Sequence, residues 1–454
     1  MKLDIVKDKR FYQTIAALAV PIMLQDLLRI SVDTFNSILL GSYDQLQMAA
    51  LSQANQVFFI YYTVVNGFAV GASVLAAQYW GHKDTASIRK VLSAGLRVSF
   101  LIGFIAMAVV LVFPKAVLDI YSSDPALIQA GSGYLRICAL MYPLCGLSLM
   151  FFGILRAIEQ VRIILLTNVI SYSVNIVLSW ALLKGKLGLP ALGINGMGAA
   201  SVAARIVELW FISRFVLKKE RKAGFQLSDL KQSDPFITKD FLRASAPIVS
   251  HEVIWSLGTS TSSMITGHLG SSVVAAYSVT VVLYNLCASI GNGYNNACSV
   301  VIGKTIGEND RRMVEKEATS MLGVGLGIGL LLSLVTWLSS QPFLSLFALD
   351  AQTTMYALQF MRVFVVIWPF SLLEMTGTIA ILRAGGDGRT GFYTDIVAMW
   401  MTTIPLAACG AFFWKWPPVV VISVIKFAIV IEATVGVIRV LSMRWIQDLT
   451  RHSS

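Results

Sequence analysis

Acidic side chains set in apolar runs are the first candidates for chemistry in this chain. Asp33 lies in SVDTFNSILLG, with apolar residues on both sides. A charge in a membrane-like setting costs roughly 2.5–3.5 kcal/mol on insertion scales, which makes such a residue a functional candidate by default. A carboxylate there binds a proton, holds a hard cation such as Na⁺ through its oxygens, or pairs with a cationic substrate. The competing reading is a structural ion pair with Arg29, one helical turn away. Glu252, in SHEVIWSLG, is a second acid of this kind. It reads as a cation or proton site, as a contact for a positive substrate, or as an interfacial carboxylate that reaches water. His251 sits about 100° around a helix from it, so the two need not act together. Neither an H-E-x-x-H motif nor a His/Cys cluster occurs, which argues against zinc. Glu374, Glu208 and Glu432 are further acids in apolar runs. Arg205 and Lys426 stand within a turn or two of the last two, which suits structural pairs.

The segment TNVISYSVNIVLSW adds a polar stripe. Asn168, Tyr172, Asn175 and Ser179 follow i, i+4, i+7 and i+11 spacing, which is one face of a helix. Together with Asp33 they would form an oxygen-rich pocket. The alternative is hydrogen bonding between helices, worth about 0.6 kcal/mol per contact in membranes. The run GVGLGIG at Gly323–Gly329 lacks the following Lys–Ser/Thr of a phosphate loop. Its small residues instead suit close helix approach. The turn RAGGDGRTG at Arg383–Gly391 is likewise unlike a nucleotide site, and no nucleophile elbow or hydrolase triad is visible. An enzyme is therefore not expected.

These residues must be positioned by membrane helices. The chain of 454 residues is 56% hydrophobic and 13% charged, well below the roughly 25% charged residues of soluble domains. A bilayer span needs about 20 apolar residues, and about twelve such stretches follow one another from 14–40 to 418–443. They are long apolar runs rather than short alternating ones, so they read as helices and not barrel strands.

The chain also repeats itself. PIMLQDLLRISVDTFNSILLG from Pro21 and PIVSHEVIWSLGTSTSSMITG from Pro247 share an offset of 226 residues (247 − 21). The same offset pairs Gly41 with Gly267, Asn66 with Asn292, Gly67 with Gly293, Gly81 with Gly307, Arg136 with Arg362 and Pro143 with Pro369. After a one-residue slip, Arg156 matches Arg383. A repeat in a hydrophobic chain points to a transporter made of two related bundles. Six spans per half give both halves the same sense in the membrane, hence a parallel repeat with a central cavity between bundles as the substrate path. The expected domains are a six-helix bundle over 1–217, a hydrophilic cytoplasmic linker over 218–240 and a second six-helix bundle over 241–454.

The net charge of +11 resembles a nucleic-acid signal, but its distribution argues otherwise. Basic residues collect at alternate loops: Lys7, Lys9 and Arg10; Lys83, Arg89 and Lys90; Arg311, Arg312 and Lys316; Arg383 and Arg389; Arg444 and Arg451. The richest group runs from Arg214 to Lys231. This positive-inside pattern places both termini and the linker in the cytoplasm, with the linker near anionic headgroups. The five cysteines are scattered without C-x-x-C spacing and read as small apolar residues. The start MKLDIVKDKRF has no cleavable-signal pattern, so span 1 is expected to be retained.

With these features in place, the chain resembles the multidrug and toxic compound extrusion (MATE) family over essentially its whole length. The matches are PIML…VDTFNSILLG, AAQYWGHKD, its counterpart VIGKTIGEND, and LRAGGDGRT. The resemblance implies antiport, an organic cation leaving while Na⁺ or H⁺ enters, with no other cofactor. It implies an essential acid in span 1, which Asp33 matches, and polar residues of span 5, which Asn175 matches. Ser179 stands where many members carry an acid. Glu252 and Glu374 are similar in placement to acids of spans 7 and 10 in some members. The expected ion site is therefore Asp33 with Asn168, Asn175 and Ser179, with Glu252 and Glu374 as second-ion or substrate residues. Tyr61, Phe68, Trp255 and Tyr284 are the expected aromatic contacts for a flat cation. Span 1 is expected to bend near Pro21. The expected setting is a prokaryotic inner membrane, with the protein monomeric and in contact with lipid and small organic cations but not nucleic acid. The alternative is a flippase for a lipid-linked or polysaccharide substrate of the same wider superfamily, for which Arg29, Arg136 and Arg362 leave some room.

Overall fold

A computed structural model describes residues 5–41, 44–121, 124–231, 234–347 and 349–450; Arg451 of the basic pattern lies outside them. Among the described residues all regular structure is helical. The first half comprises α1 (Lys9–Gly41), α2 (Gln45–Gly81), α3 (Thr85–Val112), the short α4 (Pro114–Asp119), α5 (Pro125–Ala139), α6 (Met141–Ala157), α7 (Val161–Lys184) and α8 (Ile194–Lys218). A 3₁₀ turn, Leu227–Lys231, follows. The second half holds α9 (Pro235–Gly267), α10 (Ser271–Gly307), α11 (Arg311–Leu344), α12 (Ala351–Glu374), α13 (Gly388–Asp395), α14 (Ile404–Phe412) and α15 (Pro418–Leu441). Two π-helical stretches interrupt this half, Met375–Leu382 after α12 and Ile396–Thr403 after α13.

Nine of the described helices, or helices with their π extensions, are long and apolar enough to cross a bilayer alone, and α5 with α6 makes a tenth, bent by 46°. The more polar α8 and α9, of 25 and 33 residues, complete the twelve expected passes. The protein is an all-α, multi-pass membrane protein.

The helices form two compact units. One holds residues 24–249; the other holds the chain up to Met23 together with everything from Ser250. Both cuts fall inside long helices, two residues beyond Pro21 and Pro247. Each long helix thus contributes its first part to one unit and its remainder to the other. The repeat explains how. In the 24–249 unit Gly67 of α2 lies so close to α9 that a Cβ there would stand 3.0 Å from the Val249 Cα. In the other unit its partner Gly293 of α10 lies against α1, where a Cβ would stand 2.7 Å from the Ala19 carbonyl oxygen and 2.9 Å from Met23. Missing side chains let the backbones approach.

Other paired residues do equivalent work. Asp84 and Asp310 cap α3 and α11 by accepting from the backbone N–H groups of Ser87 and Met313. The residues before them, Lys83 and Asn309, are left-handed at φ 60° and 59°. Asp124 and Asp350 cap α5 and α12. Within the 24–249 unit α2, α3 and α6 pack together and α7 packs on α8; in the other, α12 sits among α10, α11 and α15. The core of the latter is built on Phe360, Trp368 and Leu372 of α12.

Candidate functional site

In the 24–249 unit, α1 brings Asp26, Arg29 and Asp33 to one side at i, i+3 and i+7. Arg29 Nη1 is 3.7 Å from Asp33 Oδ2, and its Nε is 4.0 Å from Asp26 Oδ1. Asp33 is the most open of the three, with 69% of its side chain exposed. Arg205 is also within electrostatic reach of it. One turn on, Asn36 Nδ2 donates to Asn175 Oδ1 at 3.0 Å, and Asn175 Nδ2 donates to Ser201 Oγ at 3.2 Å. The polar stripe of α7 is therefore partly spent on interhelical hydrogen bonds. Asn168 and Ser179 are buried, and the Ser179 hydroxyl has no partner. On α8 Arg205 Nη1 donates to both Glu208 oxygens at 2.8 Å, a fully closed pair.

The other unit gathers more acid. Arg383 Nη1 meets Glu252 Oε1 at 2.8 Å, and its Nη2 meets His251 Nδ1 at 2.7 Å. A guanidinium only donates, so Nδ1 accepts and the ring proton sits on Nε2. That nitrogen of the neutral ring faces Asp395 Oδ2 at 3.3 Å without hydrogen-bond alignment, so Oδ2 is left unpartnered. Glu374 and Glu432 complete the cluster: Glu374 lies within electrostatic reach of Glu432, Asp395, Arg383 and Glu252. Glu432 Oε1 is buried without a partner, and Lys426 is near enough to act on it. The backbone is unusual at the same place. Glu374 is the last residue before one π stretch and Asp395 the last before the other. Such segments are rare and concentrate at functional sites.

The two units are thus electrostatically unlike. The repeat places Asp26 opposite Glu252 (252 − 26 = 226) and Arg156 opposite Arg383 (383 − 156 = 227). Asp26 is within electrostatic reach of Arg156, as Glu252 is bonded to Arg383. Carried onward, the slipped offset sets Asn168 opposite Asp395 (395 − 168 = 227). An amide in one unit is an acid in the other. Glu208 and Glu432 each lie 14 residues into their helices (208 − 194, 432 − 418), but the first is closed by Arg205 and the second keeps an unpartnered oxygen. Asp395 has no apolar-run signature as plain as that of Asp33, and only the slipped repeat carried past Arg383 singles it out.

The aromatic candidates divide. Tyr61 is buried, donates to the Tyr142 carbonyl and stacks on the Tyr142 ring at 4.6 Å. Tyr284 stacks on Trp368 at 4.7 Å and carries the Lys426 ammonium over its ring at 5.1 Å, so the protein supplies its own cation there. Phe68 is half-buried against Phe241 at 6.0 Å. Trp255 is exposed. Among the described residues no three His, Cys, Asp or Glu side chains converge on a metal-sized point.

The MatE family profile matches residues 21–181 and 247–409, one segment in each repeat. A relative from Agrobacterium fabrum, described as probable multidrug resistance protein NorM, is 24% identical over 411 residues, 88% of this chain and 87% of its own length. Probable multidrug resistance protein YoeA of Bacillus subtilis is 23% identical over 402 residues, 87% of this chain and 86% of its own. A solved structure of MATE in complex with MaL6 superposes with a TM-score of 0.86 at 18% identity, over 95% of this chain and 96% of the other.

Proposed function

The chain belongs to the MatE family, and on that premise we propose that it is a secondary antiporter that exports organic cations in exchange for protons. The observation that carries this reading is the cluster of Glu252, Glu374, Asp395 and Glu432, set against only Arg383 and Lys426. With every group ionised, four negative charges face two positive ones. Buried excess charge is costly, so the cluster favours taking up cations. Glu432 Oε1 and Asp395 Oδ2, buried without hydrogen-bond partners, are oxygens on which a proton can be taken up, which supports protons as the coupling ion. A proton taken up by an acid that faces Arg383 would weaken its hold on that guanidinium, which gives uptake a way to alter packing between α9 and the end of the first π stretch. Asp33, paired with Arg29 and largely exposed, is proposed to meet cationic cargo rather than to hold the coupling ion. Trp255 is the aromatic residue best placed to offer a ring face. Excess negative charge suits cationic cargo better than the anionic, lipid-linked cargo of a flippase. The basic loops support a cytoplasmic membrane of a prokaryote with both termini inside.

The test is efflux of a fluorescent organic cation from proteoliposomes under an imposed H⁺ or Na⁺ gradient. Wild type is expected to respond to H⁺, Asp395→Asn to lose that response, and Asp33→Asn to keep coupling while changing cargo affinity. Gradient-driven efflux undiminished in Asp395→Asn would overturn the ion-site assignment. Efflux driven by Na⁺ alone would overturn the choice of ion.

A further inference from the structure

The richest basic stretch of the sequence, Arg214 to Lys231, is not a free tether. Glu220 accepts from the backbone N–H groups of Lys222, Ala223 and Gly224 and from Gln160, which folds the chain back on itself after α8. The following 3₁₀ turn is then fastened to α3. Arg97 donates to the Leu230 carbonyl at 2.7 Å, Arg89 donates to the Ala223 carbonyl at 3.1 Å, and Arg89 Nε stands 3.6 Å from Asp229. Lys90 bridges to Asp234 at 3.0 Å.

Beneath this strap lies a cavity of about 400 Å³ between the first half of α3, α6 and the last turns of α8. Its floor is apolar: Leu96 and Phe100 at i and i+4 on α3, Phe151 on α6, and Leu209 and Val216 on α8. Its basic groups, Arg89 and Arg97, stand eight residues apart on α3 (97 − 89) and both reach the strap, with Asp229 as the lone acid of the lining. From Arg89 to Phe100 the floor runs 11 residues along α3 (100 − 89), roughly 16 Å at the helical rise of 1.5 Å. Phe100 at the far end is exposed, so the groove is open there.

A groove with an apolar floor along a membrane helix and two cations where the strap crosses it has the chemistry of a site for one lipid. We propose that this groove binds an anionic diacyl phospholipid, one acyl chain lying along Leu96, Phe100 and Leu209 and the phosphate between Arg89 and Arg97 beneath the strap. Basic pockets between membrane helices are the expected recognition sites for anionic headgroups. A water-soluble anion would have no use for the apolar floor, and a neutral lipid would not balance the excess positive charge of the lining, two arginines against one aspartate. The site is separate from the acid cluster and does not depend on the transport reading, since all its residues lie within the 24–249 unit.

The experiment is native mass spectrometry of the purified, delipidated full chain, titrated with phosphatidylglycerol or phosphatidylcholine of identical acyl chains, with inorganic phosphate as a third arm followed by thermal shift. One phosphatidylglycerol per chain is expected at a concentration about fivefold below that needed for phosphatidylcholine, the worth of one basic residue at an anionic surface. Ser213→Phe, which fills the groove, should abolish that stoichiometric binding. Arg97→Gln, which leaves the groove open, should abolish the preference between headgroups while one chain still binds. Equal binding of the two lipids by wild type would overturn the proposal. So would unchanged binding in both variants, or stabilisation by inorganic phosphate as large as that by phosphatidylglycerol.

Discussion

Replacing Arg383 by Gln removes the group that reaches both Glu252 and His251. Its side chain is only 4% exposed and its two contacts are 2.8 and 2.7 Å. Stranding one partner of a buried pair costs about 3–5 kcal/mol. Glu252 keeps 18% of its side chain exposed, so the low end, about 3 kcal/mol, is expected. Glu252→Gln should cost less, about 1 kcal/mol, because Arg383 retains Asp395 and Glu374 within electrostatic reach. In the double variant neither charge is stranded by the other, and the loss should be about 2 kcal/mol rather than the additive 4. The coupling of about 2 kcal/mol lies within the range for residues in one network and corresponds to roughly a 30-fold change in an unfolding constant. Equilibrium unfolding of the four proteins in detergent measures it. Additivity within about 0.5 kcal/mol would refute the reading of Arg383 as the residue that ties the acid cluster together.

Two further outcomes follow from the repeat and from the strap. Gly103→Ala and Gly329→Ala should each cost about 1–3 kcal/mol, because the added Cβ would fall 2.6 Å from the Pro143 Cα in one unit and 2.7 Å from the Pro369 Cα in the other. Gly327→Ala, with nothing within 4 Å, should be neutral or stabilising when all three variants are compared by equilibrium unfolding in detergent; a loss there as large as at Gly103 would contradict the packing argument. Asp234 caps α9 and accepts from Lys90, contacts that hold its carboxyl below the usual carboxylate range. A lowered folded-state pKa contributes stability above the ordinary value and loses it as pH falls through the lowered one. Asp234→Ala should therefore melt below wild type at neutral pH, with the gap closing in acid below that range; a gap constant with pH would deny the tether.

Much of this arrangement is legible in the residues themselves. Long apolar runs fix the passes, since lipid accepts only backbones that satisfy their own hydrogen bonds. The paired glycines and prolines mark close crossings, and the paired aspartates mark helix starts, because capping and close approach depend on local residue type. Pro21 and Pro247 likewise stand beside the points where two helices pass from one unit to the other. The site was harder to read. Asp33 is conspicuous among apolar neighbours, yet it lies largely exposed beside Arg29. Tyr61 and Tyr284 look like cation contacts by type, yet each ring is stacked on a neighbouring aromatic side chain.

The sequence by itself determined an all-helical membrane protein, because periodicity, hydropathy and capping act over a few neighbouring residues; its twofold repeat and the motifs that carry the family resemblance are likewise written in the residue order. Only the tertiary structure decided which charges meet. Glu252, Arg383 and Asp395 come from three separate elements, the last two on either side of the turn after the first π stretch, and no local pattern encodes their 2.7–3.3 Å contacts with one another and with His251. Whether a buried charge is closed, as Glu208 is by Arg205, or left with an open oxygen, as Glu432 is, depends on what the neighbouring side chains bring. That is a property of packing, in which desolvation and pairing compete over distances of a few ångströms.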